Sequence, residues 1–264
     1  MLGIIGCGVM GSVILEGMLE KKIVSPGDLL IFDKDTARAE GLQEKWKLRL
    51  ASDAREICQK AHQILFAVKP QNIDELIMDI KDLLSDQLII SIVAGIQISY
   101  LQEKAGKPLR IVRIMPNTPC LVGEGMSIIS KGKGVSEQEE AFVKKIMEGL
   151  GKVILLEEKL LDAAAGLSGC GPAFYLLVLE ALADGGVEAG LSRETALLLA
   201  SQTMLGTAKM VQETGEHPAL LKNKVTSPGG LTSAGLLALE EGAVRVSMIK
   251  AVVQAVKRGS LLGS

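Results

Sequence analysis

Ile4-Ile5-Gly6-Cys7-Gly8-Val9-Met10-Gly11 sets three glycines in a GxGxxG array, between a short apolar run (Leu2 to Ile5) and a stretch that reads as helix from Val9 to Lys22. Strand, glycine turn and helix in that order point to dinucleotide binding. Gly6 permits a tight turn off the strand, and Gly8 lets the backbone approach a pyrophosphate. Gly11 lets the helix pack closely, so that its N-terminal amides face the phosphates. The alternative is a sharp strand-to-helix turn with no ligand. A second apolar run, Leu29-Leu30-Ile31-Phe32, ends at Asp33, 22 residues past Gly11. That is close to the roughly 20 expected for a carboxylate on the ribose. Asp33 favours the 2′-hydroxyl of NAD and repels the 2′-phosphate of NADP. Lys34 and Arg38 pull the other way, as cations able to neutralise a 2′-phosphate. In the plainer reading Asp33 caps a turn and Lys34 is solvated. These residues lean to NAD, with NADP(H) or NAD(H) both kept as the expected cofactor.

Bulk properties narrow the function classes. A chain of 264 residues suggests two domains. Its 29 basic and 31 acidic residues are interspersed and sum to −2, which offers nothing for nucleic acid or an anionic membrane. Aromatics at 3% argue against base-stacking platforms. The first apolar strand begins at residue 2, so no signal or transit peptide is expected. Cys7, Cys58, Cys120 and Cys170 lack CxxC spacing, so a reducing cytoplasm is expected. Two histidines, His62 and His217, form no metal-binding array, and no metal is expected.

Up to about residue 156, short apolar strands alternate with charged amphipathic stretches. Candidate strands are 2–6, 29–33, 64–68, 88–93, 110–114, 126–130 and 152–156. Such alternation predicts a mainly parallel, doubly wound α/β sheet of the Rossmann type. Ser136 and Glu139 form a capping-box pattern that opens a helix running to about Gly149. Beyond residue 156 the chain is rich in Ala and Leu and reads as all α. The expected domains are therefore 1–156 for the dinucleotide and 157–264 for a helical dimerisation and substrate domain. Ala163–Leu179, Thr195–Ala208 and Val225–Leu239 carry no charge. The first, at 17 residues, is interrupted by glycines and Pro172 and falls short of the roughly 20 that a membrane span needs. Helices apolar on all sides must be buried on all sides, which points to an interlocked dimer rather than a monomeric bundle.

Several strand ends carry candidate chemistry, because ligands in doubly wound folds bind beyond the carboxyl ends of strands. Ala67-Val68-Lys69-Pro70 closes one strand, with Lys69 positioned for a phosphate or ribose. Ala94 and Gly95 close the next and leave room for a flat nicotinamide ring. Met115-Pro116-Asn117-Thr118-Pro119 closes the one after. Its two prolines make a rigid loop, and Asn117 is a candidate for a carboxamide or a water. Arg113 reads as a structural ion-pair partner. Two glycine-rich turns follow, Gly166-Leu167-Ser168-Gly169-Cys170-Gly171-Pro172 and Val225-Thr226-Ser227-Pro228-Gly229-Gly230-Leu231-Thr232. Either opens a helix whose free amides suit a small carboxylate, or is ordinary capping, with Ser227 as N-cap and Pro228 at N1.

With these residues in view, the chain resembles the pyrroline-5-carboxylate reductases over essentially its full length. The segment 218–240, Pro-Ala-Leu-Leu-Lys-Asn-Lys-Val-Thr-Ser-Pro-Gly-Gly-Leu-Thr-Ser-Ala-Gly-Leu-Leu-Ala-Leu-Glu, fits that family's C-terminal motif throughout. The resemblance implies NAD(P)H-dependent reduction of the cyclic imino acid 1-pyrroline-5-carboxylate to L-proline, the last step of proline synthesis. It implies a homodimer, or a larger ring built from dimers. It assigns Thr232 to the imine nitrogen as proton donor, and Ser227, Gly229 and Gly230 to the carboxylate, from the partner subunit. Gly6, Cys7, Gly8, Val9, Met10 and Gly11, with Ala67, Val68, Lys69 and Pro70, would hold the cofactor. Val9 stands where Asn is common, and Asp33-Lys34 where NADP-preferring members often carry Asn-Arg. Cys170 replaces a usual Ser. A rival fold relative, the β-hydroxyacid dehydrogenases, requires a catalytic Lys where this chain has Tyr175. A second rival, a non-catalytic dinucleotide sensor, would not need the 227–232 turn.

Overall fold

A computed structural model describes residues 1–260. The chain divides into two compact units, Met1–Gly169 joined by the helix end from Val256, and Cys170–Ala255. The first unit runs β1 (Leu2–Ile5), α1 (Val9–Glu20), β2 (Leu29–Phe32), α2 (Thr36–Trp46), β3 (Arg49–Leu50), α3 (Ala54–Lys60), β4 (Gln63–Phe66) and α4 (Ile73–Ile80). It continues through β5 (Leu88–Ser91), α5 (Ile98–Ala105), β6 (Arg110–Met115), β7 (Gly125–Lys131), α6 (Glu137–Glu148), β8 (Gly151–Leu155) and α7 (Leu161–Ala164).

The eight strands lie in the order β3-β2-β1-β4-β5-β6-β7-β8, and every pair is parallel except β6 with β7. This is the Rossmann-like doubly wound sheet that the alternation predicts. The sequence reading misses β3, whose two residues are too short to show any periodicity. Side chains alternate between faces. Leu2 and Ile4 join Ile14, Leu15 and Met18 of α1 and Val143 and Ile146 of α6 on one face. Ile5 joins Ile57 of α3, Ile77 of α4 and Leu101 of α5 on the other. The capping box forms as expected: the Ser136 hydroxyl accepts from the Glu139 amide, and the Glu139 carboxylate accepts from the Ser136 amide.

The second unit holds α8 (Gly171–Glu188), α9 (Arg193–Thr214), α10 (Pro218–Lys224), α11 (Leu231–Glu241) and the greater part of α12 (Val244–Ser260). α8 and α9 cross closely, because Gly186 faces Ala196 where an added Cβ would lie 3.1 Å from the alanine methyl. Its core is thin. Among the large apolar side chains, Leu176, Leu177, Leu198, Leu205 and Leu237 are each more than half exposed. A groove of about 1170 Å³ runs between α8, α9 and α12 and is lined by Leu179, Leu182, Leu199 and Met204. A soluble monomer rarely shows so large a contiguous apolar surface.

Candidate functional site

The strand order reverses between β1 and β4, and the crevice beyond their carboxyl ends is where this architecture binds ligands. Register explains how three separate segments meet there. Ile5 is the partner of both Phe32 and Phe66, so Gly6, Asp33 and Ala67 leave the sheet at one level. The Gly6 amide donates to the Phe32 carbonyl (2.8 Å) and the Ala67 amide to the Ile5 carbonyl (2.9 Å). Beyond them opens a cavity of about 350 Å³, lined by Gly6, Gly8, Asp33, Lys34, Ala67 and Lys69 among others.

Each glycine of the array meets a different demand. Gly6 has φ +105°, and a Cβ there would sit 2.6 Å from the Ala67 carbonyl oxygen. A Cβ on Gly11 would collide with the Gly6 carbonyl oxygen. Around Gly8 nothing of the protein lies within 4 Å of the Cβ position. Packing therefore explains the first and third glycines and leaves the second without a structural reason. Open space at an extended N-cap residue, followed by the unbonded amides of Val9, Met10 and Gly11, is a cradle for an anion. The residues present fit a dinucleotide pyrophosphate.

Asp33 holds this loop in place. One carboxylate oxygen accepts from the Cys7 amide (2.5 Å) and the other from the Asp35 amide (2.8 Å). The second bond is the turn-capping role weighed above. Lys34 is not simply solvated, because its ammonium pairs with Glu75 at 2.6 Å. Burial, and after it the Asp33 charge, push the Cys7 thiol up to about 12, so Cys7 is an inert filler of the loop at neutral pH. Val9 is 68% exposed at the cradle's mouth.

Met115 ends β6, and Ala94, Gly95, Pro116 and Asn117 follow β5 and β6; all five lie outside the cavity lining. The Asn117 side chain is already engaged at both ends. It donates to the Ser168 carbonyl (3.0 Å) and accepts from the Met126 amide (2.8 Å), which ties the β6 loop to the turn after α7. Arg113, 3% exposed, reaches Glu158 at 3.2 Å and Asp162 at 3.4 Å. This is the structural ion pair expected from the sequence. Replacing Arg113 by Met should cost about 3 kcal/mol, the low end for a broken buried pair because both acids are partly exposed. A thermal scan should show Tm lower by about 5 °C or more.

The two later glycine turns differ from each other. Residues 165–169 form a π-helical turn, and Cys170 keeps helical φ and ψ of −84° and −23°. The first turn thus leads from a π turn into α8, which opens at Gly171 with Cys170 as its N-cap and no side-chain cap bond. The second turn also opens a helix, but its cap is Gly230 rather than Ser227. Pro228 and Gly229 (φ +67°) are the corner residues of a type II turn closed by the Gly230 amide on the Ser227 carbonyl (3.1 Å). A Cβ on Gly230 would run into the Ser227 hydroxyl. Thr232 is then the second residue of α11, exposed, and its hydroxyl bonds to no protein group among the described residues. The amides of the first turn of α11 are left without carbonyl partners.

Comparison with known proteins decides the family. Residues 158–262 match the family model described as pyrroline-5-carboxylate reductase dimerisation, and residues 1–95 the model described as NADP oxidoreductase, coenzyme F420-dependent. A pyrroline-5-carboxylate reductase of Arabidopsis thaliana is 42% identical, over 97% of this chain and 93% of its own length. The chain belongs to the pyrroline-5-carboxylate reductase family. A second pyrroline-5-carboxylate reductase, of Synechocystis, is 43% identical over 99% of this chain and 98% of its own. The crystal structure of a Plasmodium falciparum pyrroline carboxylate reductase with NADP bound superposes with a TM-score of 0.89. It is 36% identical and is matched over 98% of its length by the whole of this chain.

Sequence reasoning missed part of the cavity wall. Asp53, Asn72, Glu75 and Asp79 line it, at the cap of α3, in the turn before α4 and on α4. The one available signal was position, since Asn72 and Glu75 follow directly on the Lys69-Pro70 strand end.

Proposed function

We propose that this chain reduces 1-pyrroline-5-carboxylate to L-proline with NADPH or NADH, working as a dimer or a larger homo-oligomer. The observation that carries the reading is Gly8, a glycine with no packing reason, at the head of a helix in a chain of this family. The dinucleotide, when bound, supplies the hydride. The chain's own residues supply orientation and charge. The cradle from Gly6 to Gly11 holds the pyrophosphate, with Ala67, Val68, Lys69 and Pro70 along its rim. The turn from Ser227 to Gly230 and the free amides of α11 hold the substrate carboxylate. The Thr232 hydroxyl donates to the ring nitrogen as the C=N bond becomes a C–N single bond. An imine takes up its proton more readily than a ketone does, so this reaction needs no histidine acid. His217 serves a structural end, its ring nitrogen accepting from the Ala219 amide at 3.2 Å.

The same reading extends to partners and place. Residues 158–188 form a helical run apolar enough to cross a membrane by length and composition. Its match to a dimerisation family supports a second subunit, rather than lipid, as the cover for these residues. Four free cysteines suit the cytoplasm, and near-zero net charge argues against nucleic acid.

The test is absorbance at 340 nm with 1-pyrroline-5-carboxylate and each dinucleotide in parallel. Loss that depends on the imine is expected. Bound dinucleotide with no turnover would favour another cyclic imine or a sensor. Thr232→Ala should lower kcat by about 10–100-fold, a modest share for an acid that assists an already basic nitrogen, and should change KM less. An unaltered kcat would remove the proton-donor role.

A further inference from the structure

Charge at the cavity mouth is divided unevenly. Four acids (Asp33, Asp53, Glu75, Asp79) line it against three bases (Lys34, Arg38, Lys69). Three of the acids have structural duties. Asp33 staples the glycine loop through both oxygens. Asp53 caps α3, accepting from the Glu56 amide at 2.7 Å. Asp79 lies 3.9 Å from Arg55. Glu75 is different, because its partner is Lys34, the residue next to Asp33. Arg38 is drawn aside to Asp35 at 3.0 Å. Lys34 is therefore the cation best placed at the β2 end of the cavity, and Glu75 already occupies it.

We propose that Glu75 sets the choice between the two dinucleotides by competing with a ribose 2′-phosphate for Lys34. The inference rests on the cofactor reading above and goes beyond it in naming a specificity residue on α4. The Lys34–Glu75 pair is 64% and 70% exposed, hence weak and readily exchanged. A 2′-phosphate brings close to two negative charges. It must displace Glu75 from Lys34, whereas a 2′-hydroxyl leaves the ion pair intact. The two backbone bonds of Asp33 fix the loop for either dinucleotide, and Glu75 acts beside whatever its carboxylate contributes.

The experiment is calorimetric titration of the full chain and its variants with NADPH, NADH, adenosine 2′,5′-bisphosphate and 5′-AMP. No turnover is needed. Glu75→Gln should tighten NADPH and the bisphosphate by about 3–10-fold, the size of one exposed charge contact, and leave NADH and 5′-AMP within about two-fold. The gain should shrink at 0.5 M salt, where exposed charges are screened within about 4 Å. In a Lys34→Gln background the Glu75 effect should vanish, which separates competition for Lys34 from general repulsion. An unchanged NADPH-to-NADH ratio in Glu75→Gln, beside normal binding, overturns this proposal alone. Failure of the unmodified chain to bind either dinucleotide overturns the cofactor reading and this proposal with it.

Discussion

Gly8→Val should leave the thermal midpoint of the protein where it is and weaken dinucleotide binding by at least about 100-fold, or 2.7 kcal/mol at 1.36 kcal/mol per tenfold. The two halves of that expectation come from one observation. Gly8 has φ −68° and ψ −176°, a conformation open to any residue, and an added Cβ meets nothing of the protein within 4 Å. The fold thus leaves room for a side chain at this Cα. A pyrophosphate drawn to the amides of Val9, Met10 and Gly11 must come close to that same carbon, where a side chain bars its approach. Gly11→Ala is the companion. Its methyl collides with the Gly6 carbonyl oxygen, so it should lose both stability and affinity. Thermal scans and fluorescence titration with NADPH and NADH check both variants. If Gly8→Val bound as well as the unmodified chain, the glycine array would be a strand-to-helix turn and nothing more.

That contrast also marks how far the sequence could be read. The GxGxxG array, the Asp33 spacing and the strand-helix alternation are local patterns, and local patterns survive in a sequence. They yielded the Rossmann-like sheet and the loop at its switch point. The 22-residue interval from Gly11 to Asp33 had a further meaning that no pattern states, because Asp33 binds the Cys7 amide and so builds the loop. β3 escaped notice because two residues show no period. Ser227 looked like an N-cap, and the cap moved to Gly230 because Pro228 and Gly229 were consumed by a type II turn. The 166–172 segment does open a helix, α8 at Gly171, but the chain enters it from a π turn at 165–169, which no local pattern announces. Glu75 was invisible for a different reason. On an amphipathic helix it reads as a solvated charge, and only the return of the chain through β4 sets α4 beside the end of β2. The role given to Thr232 came from family resemblance alone, since one hydroxyl among many carries no mark.

Leu177→Glu with Leu198→Glu should convert the protein from an oligomer to a monomer and abolish turnover. These leucines lie on α8 and α9, are 67% and 66% exposed in the single chain, and have no internal role that their loss would disturb. On a true surface such changes would be close to neutral, within about 0.5 kcal/mol. Under a partner subunit the arithmetic reverses. Each buried leucine contributes about 1.5–3 kcal/mol, and a carboxylate left unpaired in its place costs several kcal/mol more. In a two-fold interface every substitution counts twice, so the pair should shift association by more than about 10 kcal/mol, past the range of any ordinary dimer at micromolar concentration. Sedimentation equilibrium measures the mass. The second unit buries so few large apolar side chains that its own melting should also become broad and early once the partner is gone. A doubly substituted chain that stayed oligomeric would place the interface elsewhere on the helices. An unmodified chain that sedimented as a monomer would leave Leu177, Leu198 and the 1170 Å³ groove without a cover and would sink the dimer outright.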